Sequence, residues 1–411
     1  MSKRTSPGLA IPLSLSFIGF VFVGLAGGAN GVVLPSISSD YHVNDAVIGL
    51  LFLVSSIGYF LSALASGPLT EKLGVRWFVI LGTLILFIGQ LGFGVKLPFA
   101  LLLLARLLIG LGIGIIETGF NVFITALPRQ TTQLNFLHAF YGVGSLLGPL
   151  MSSAILALTW GWNTIYLIMA GLNVLMTLGL FFFFYTPQTG PATSQNKESK
   201  QDNVLSATLK LPIVWFASFF LLIYVGIEVS LGNWGYSFLL EARQQGTLQS
   251  GWIVSGYWLG LTLGRFTIQV VAEKLGIGIR ELMYGCIGGV IAGVLLVWFV
   301  PGGVAAALGF GFIGFSLAPI YPLTVAILPK LVPARFGPSA IGLLVSVSII
   351  GLALFPWIAG ILAQAQGIWT LLPYVLVLAV IMLLSWVYLG QRTAKESCRE
   401  EAPKQIPAQQ Q

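Results

Sequence analysis

The chain has 411 residues, 56% of them hydrophobic and 8% charged, with a formal net charge of +7. A soluble domain carries about 25% charged residues, so this composition excludes a soluble globular protein. Apolar runs of about 20 residues suit membrane-spanning helices and not barrel strands. The basic excess therefore belongs to loop charge at one membrane face, and no nucleic-acid partner is implied.

Residues 1–10 lead straight into a first helix too long for the core of a cleavable signal. Twelve spans are predicted at 11–33, 46–69, 77–95, 99–126, 133–158, 162–186, 211–239, 250–272, 281–300, 303–328, 336–363 and 370–390. With the N-terminus inside, Lys and Arg divide 16 to 2 between the inner and outer loops, and Arg106 and Arg265 lie within spans. That asymmetry places both termini in the cytoplasm. Residues 187–210 are polar and break the pattern, giving a cytoplasmic linker between bundles at 11–186 and 211–390. A cytoplasmic tail follows at 391–411.

The halves repeat. Glu71-Lys72-Leu73-Gly74 recurs as Glu273-Lys274-Leu275-Gly276, and Ser145-Leu146-Leu147-Gly148 is echoed by Ser348-Ile349-Ile350-Gly351. The offsets are nearly equal, which indicates duplication in one orientation. The expected fold is all-α, twelve transmembrane helices in two pseudo-symmetric six-helix bundles. Its substrate site should lie between the halves near mid-membrane.

An ionisable group at bilayer depth costs about 2.5 kcal/mol or more, so it needs a partner or a wet cavity. In span 1, Asn30 follows Gly24, Gly27 and Gly28, a run able to pack closely or to unwind near a substrate. Span 4 holds Arg106 and Glu117 eleven residues apart, hence on nearly one face and about 16 Å apart along the axis. Asn121 shares that face, and Gly110, Gly112 and Gly114 leave room for another backbone. Glu117 is the first candidate for proton coupling, against a reading in which it only neutralises an arginine. Hairpin pairing sets His138 of span 5 near Asn121, and Asn135 lies on the face of His138. Histidine suits a proton relay or a sugar hydroxyl, and equally a structural bond between spans 4 and 5.

Glu228, Asn233 and Trp234 of span 7 offer a carboxylate, an amide and an indole, a set suited to a sugar; the alternative is a kinked helix with an interfacial tryptophan. Tyr257 and Trp258 of span 8 are further cavity candidates. Arg106 and Arg265 stay charged at any accessible pH. They are assigned to structure, coupling or gating. Two cysteines, Cys286 and Cys398, give no disulfide framework and no metal site. No phosphate loop or His/Cys cluster is present, so no cofactor is expected and an ATP-driven pump is disfavoured.

Gly67-Pro-Leu-Thr-Glu-Lys-Leu-Gly-Val-Arg76 resembles the span 2–3 signature of the major facilitator superfamily. Arg106 with Gly110 is similar to its span-4 signature, and Gly144, Gly148 and Pro149 to its span-5 motif. The resemblance implies that Glu71, Lys72, Arg76, Glu273 and Lys274 act as cytoplasmic latches, and that the protein is a monomer. Glu117-Thr-Gly-Phe-Asn121, Leu134-Asn-Phe-Leu-His138, Tyr224-Val-Gly-Ile-Glu228 and Trp258 with Gly264-Arg265 together resemble the fucose–galactose–glucose proton symporter branch. Fucose symporters carry an aspartate after the span-1 asparagine, where this chain has Gly31. The resemblance implies proton-coupled uptake of a small neutral solute, a monosaccharide, through the cytoplasmic membrane. The rivals are an exporter of hydrophobic compounds and a membrane sensor without turnover. An enzyme is not expected.

Overall fold

The computed structural model describes residues 9–185 and 206–401, so most of the linker and the two chain ends lie outside the described residues. The described residues are helical throughout their regular structure, with α1 (Ala10–Tyr41), a single turn Asp45–Ile48 and a 45-residue helix Leu50–Gly94. Gly74 breaks the last of these with φ 74°, dividing it into α2 (residues 50–73) and α3 (residues 75–94). Next come α4 (Phe99–Thr125), α5 (Gln130–Ala157), α6 (Trp162–Phe183), α7 (Pro212–Ser237), α8 (Thr247–Lys274) and α9 (Ile279–Phe299). The chain ends with α10 (Gly303–Leu317, resumed after Pro319 as Ile320–Ile327), α11 (Gly337–Gln366) and α12 (Leu371–Glu401).

Among the described residues, ten segments are long and apolar enough to cross a membrane, where the sequence suggests twelve. Two causes account for the difference. Asp45–Gly94 counts as one segment of 50 residues, about 75 Å if straight and therefore more than twice the hydrocarbon thickness. Thr247–Lys274 is absent from the ten because Arg265, Glu273, Lys274 and many small or polar residues dilute its apolar character.

Small residues set the packing. A Cβ on Gly58 would meet the Leu107 carbonyl, and one on Gly110 would meet that of Ser55, so α2 and α4 touch backbone to backbone. The arrangement recurs in the second half, 202 residues later for α8 and 204 for α10: a Cβ on Gly260 would meet the Gly311 carbonyl, and one on Gly314 that of Tyr257. The repeat extends to the turns, where Gly74 and Gly276 both take positive φ, 74° and 65°, a region open to glycine at little cost. α1 runs unbroken, and its Gly24 and Gly28 lie on α5 against Tyr141, Ser145 and Pro149. Its glycines therefore serve packing, and the unwinding allowed by the sequence is not seen.

The sequence halves meet where α1 packs on α7, α2 on α11 and α5 on α8. At the Asp45 end they are tied: the Asp45 amide donates to Gln364 Oε1 at 3.2 Å, Gly49 abuts Trp357, and Ser255 donates to the Leu146 carbonyl at 2.9 Å. At the opposite end Glu71, Lys72, Glu273 and Lys274 are exposed, and with Arg76 they form no ion pair among the described residues. The interface is thus sealed at one end and unlatched at the other.

Gly58→Ala and Gly260→Ala each force a methyl into a fixed backbone and should cost about 1–3 kcal/mol. Gly171→Ala, where a Cβ meets nothing within 4 Å, should be neutral. Thermal unfolding of the three purified variants checks this, and equal midpoints would refute close packing at the two equivalent sites.

Candidate functional site

α4 brings two ionisable groups to membrane depth, and each takes a different partner. Gly114 has no side chain, so Ser62 and the Tyr59 ring can lie against α4. That places the Tyr59 hydroxyl to donate to Glu117 Oε2 at 2.8 Å. Arg106, 5% exposed, donates from Nη1 to Asn30 Oδ1 at 2.9 Å. The guanidinium therefore ties α4 to α1 and does not neutralise Glu117. The two groups share a face, but the rise between them is too long for a direct pair.

A second cluster sits on α7 and α8. Arg265 Nη2 lies 3.7 Å from Glu228 Oε1, and both side chains are only partly exposed. Tyr224, one turn before Glu228, is buried beside the pair. The Tyr257 hydroxyl donates to the Glu228 backbone carbonyl at 2.9 Å, joining the two helices. Trp258 packs on Tyr257 with ring centroids 5.3 Å apart, and its buried Nε1 has no partner among the described residues.

Tyrosines connect the clusters. Tyr141 of α5 lies within electrostatic reach of Glu117, Glu228 and Arg265. Tyr321 of α10 reaches Glu228, Arg265 and Tyr59. The result is a ring of carboxylates, phenols and one guanidinium contributed by both sequence halves. Such a ring offers donors, acceptors and flat apolar faces at once, the combination that a polyhydroxylated solute requires.

The remaining predicted residues distribute as follows. Exposed His138 stands edge-on to Phe20 at 5.5 Å and lies within reach of Arg265, and Asn135 is exposed one turn nearer the unlatched end. Asn121 is half-buried on α4. Asn233 bonds to the Val229 carbonyl of its own helix at 2.9 Å, and its backbone lies against Gly31. Trp234 is buried, its indole N–H donating to the Pro356 carbonyl at 2.8 Å and its ring against Phe52. Asn233 and Trp234 thus stand at the contact between halves, outside the ring of charged groups. A side chain at Gly31 would strike the Asn233 backbone, so α1 and α7 meet here without space for an aspartate. Arg265 lies within the central cluster. Of the latch residues, Arg76 donates to the Phe181 carbonyl and covers Trp77, and Glu273 accepts from Gln269 at 3.0 Å.

Sequence reasoning singled out Tyr257 but passed over Tyr59, Tyr141, Tyr224 and Tyr321. Two carried a usable signal: Tyr224 precedes Glu228 by four residues, and Tyr141 follows His138 by three, each pair on one helical face. Tyr59 had none, because its partner is on another helix.

The family model described as Major Facilitator Superfamily matches residues 16–312. The chain belongs to the Major Facilitator Superfamily. Among curated proteins, this superfamily member is 24% identical to "Bypass of stop codon protein 6" of Saccharomyces cerevisiae, over 94% of the chain and 84% of the relative. It is 20% identical to the glucose/mannose transporter GlcP of Bacillus subtilis, over 87% and 91%. Among solved structures it resembles an inward-facing, unoccupied bacterial homologue of the human lysosomal transporter Spinster, with TM-score 0.79 and 15% identity over 96% and 99%. The fold also matches the FucP transporter in its outward conformation, with TM-score 0.63 and 18% identity over 94% and 99%. The superfamily member is accordingly a multi-pass membrane transporter and not an enzyme.

Removing Asn30 leaves the buried Arg106 cation without its acceptor. Asn30→Ala should therefore cost about 3–5 kcal/mol, and Asn30→Ala with Arg106→Gln should recover part of the loss. Thermal unfolding of both purified variants tests the pair; equal stability of Asn30→Ala and the parent would dismiss it.

Proposed function

We propose that this transporter carries a monosaccharide into the cell by proton symport, with Glu117 as the proton-coupling group. The observation that carries the reading is the ring in which Glu117, held by Tyr59, shares Tyr141 with the Glu228–Arg265 pair of the other half. Its carboxylates and phenols argue against an exporter of hydrophobic compounds, whose cavity would offer few hydroxyl partners. The sugar-transporter relatives support the substrate class.

In this reading the chain crosses the cytoplasmic membrane twelve times. The break at Gly74 makes two crossings of Asp45–Gly94, and Thr247–Lys274 supplies the twelfth. Residues 11–186 and 211–390 form two six-helix bundles joined by a cytoplasmic linker at 187–210, with both termini cytoplasmic and the carrier monomeric. The unlatched end is then the cytoplasmic one. Asn121, Asn135, His138, Glu228 and Trp258 contact the sugar or relay the proton; Asn30 acts through Arg106, while Asn233 and Trp234 close the outer side. Glu71, Lys72, Arg76, Glu273 and Lys274 latch the inner side in the opposite state.

Protonation of Glu117 removes a buried charge and lets the loaded carrier reorient; loss of the proton inside resets it. Gly31 leaves no aspartate beside Asn30, so the proton site falls to α4. Glu117→Gln should abolish proton-driven accumulation of labelled hexose in vesicles while sparing exchange. Full accumulation by that variant would remove Glu117 from the mechanism.

A further inference from the structure

The sealed end contains a second set of titratable groups that the transport reading leaves unused. A crevice of about 220 Å³ lies between the halves there, lined by Leu34, Pro35, Ser38, Ser39, Asp45, Trp234, Ser237 and Glu241. Two of its walls end in carboxylates of like charge. Asp45 begins the turn ahead of α2, and Glu241 lies in the π-helical turn Phe238–Ala242 that extends α7. The carboxylates lie within electrostatic reach of each other.

No base lines the crevice. On the α1 side, Asp40 is paired with Lys96 at 2.7 Å, and the exposed His42 lies near Asp40. Beyond α7, the Arg243 guanidinium is spent on the Val297 and Trp298 carbonyls of α9. α11 contributes Gln364, which is neutral and bonded to the Asp45 amide. Among the described residues, therefore, no cation is paired with either carboxylate. A further polar group has no partner: the Ser237 hydroxyl, on a residue 2% exposed, lines the same space. Asp45 is half-buried whereas Glu241 is exposed, so the two carboxylates differ in their access to solvent.

We propose that Asp45 and Glu241 form a second proton-binding site, which takes up a proton when the halves close at this end. Like-charged carboxylates brought together in a confined space hold one proton between them, because both cannot ionise cheaply. The two residues belong to opposite halves, so opening at this end separates them and restores water to each. The sign follows from linkage: the closed form binds more protons than the open one, so acid favours closure at this end and rising pH favours opening. For a carrier loaded from an acidic outside, the same protons that drive uptake would then help to shut the outer side. This site is distinct from Glu117 and does not depend on the identity of the transported solute.

The test uses full-length protein in nanodiscs, with Cys286→Ser and Cys398→Ser and spin labels at Leu158→Cys and Gln366→Cys, two positions exposed at the sealed end on opposite halves. Glu117→Gln is included so that the central carboxylate contributes nothing. Distance distributions are recorded across the acid-to-neutral range, because burial and a like charge both push a carboxylate above its ordinary range. The expected result is a closed-to-open ratio that falls by up to about tenfold per pH unit in the titrating range, and a flat response once Asp45→Asn and Glu241→Gln are added. A distribution that does not move with pH, or one that moves equally in the double variant, overturns the site. Should the double variant fail to fold, exposed Glu241→Gln alone decides by the same criterion.

Discussion

Charge at membrane depth needs a partner, and in this protein that requirement organises the interior. Arg106 donates to Asn30, although its buried Nε has no partner among the described residues, Tyr59 donates to Glu117, and Arg265 lies beside Glu228. Each partner comes from a different helix, so each bond also fixes where two helices cross. Leaving one such group alone would cost several kcal/mol, comparable to a large share of the total stability of a domain. The glycine contacts serve the same end. By letting α2 approach α4, they carry Tyr59 to Glu117.

The three pairs differ in how free they are to change. The Arg106–Asn30 bond is buried and lies within one sequence half, so it can stay intact while the halves move. The Glu228–Arg265 pair is looser at 3.7 Å and partly exposed, which leaves room for a solute hydroxyl to enter it. Glu117 has a neutral phenol as its hydrogen-bond partner and is free of any cation in its bond, an arrangement compatible with either protonation state. Stability and function are thus assigned to different charges on the same few helices. The seal at the Asp45 end and the unlatched opposite end describe one of the two states that an alternating carrier requires.

Much of this arrangement was legible in the sequence, and the illegible part has a definite cause. Arg106, Glu117, Glu228 and Arg265 announce themselves, because an ionisable residue in an apolar run is rare. The repeat of Glu-Lys-Leu-Gly foretold a repeat of structure, and Gly74 and Gly276 share a backbone conformation. The partners were not legible. Asn30 and Arg106 are separated by 76 positions, and Tyr59 and Glu117 by 58; only the packed helices bring them together. Tyrosine is also common in membrane spans, so no single tyrosine stands out from its surroundings. Asn233 and Trp234 show the same limit: their chemistry suits a sugar, and nothing in the local sequence tells that the amide bonds to Val229 and the indole to Pro356. The span count shows the same limit, since the residues that give α8 its role also dilute the apolarity by which spans are recognised.

In the proposed function both halves contribute to one polar chamber that holds a hexose. Sugar-induced thermal stabilisation of the purified protein measures this directly, in the parent and in Tyr59→Phe and Arg265→Lys, one variant from each half. At a hundred times the dissociation constant the parent should gain about 2.7 kcal/mol, and each variant should lose most of that gain at the same sugar concentration. Failure of every hexose to stabilise the parent, or full stabilisation of either variant, would contradict the account.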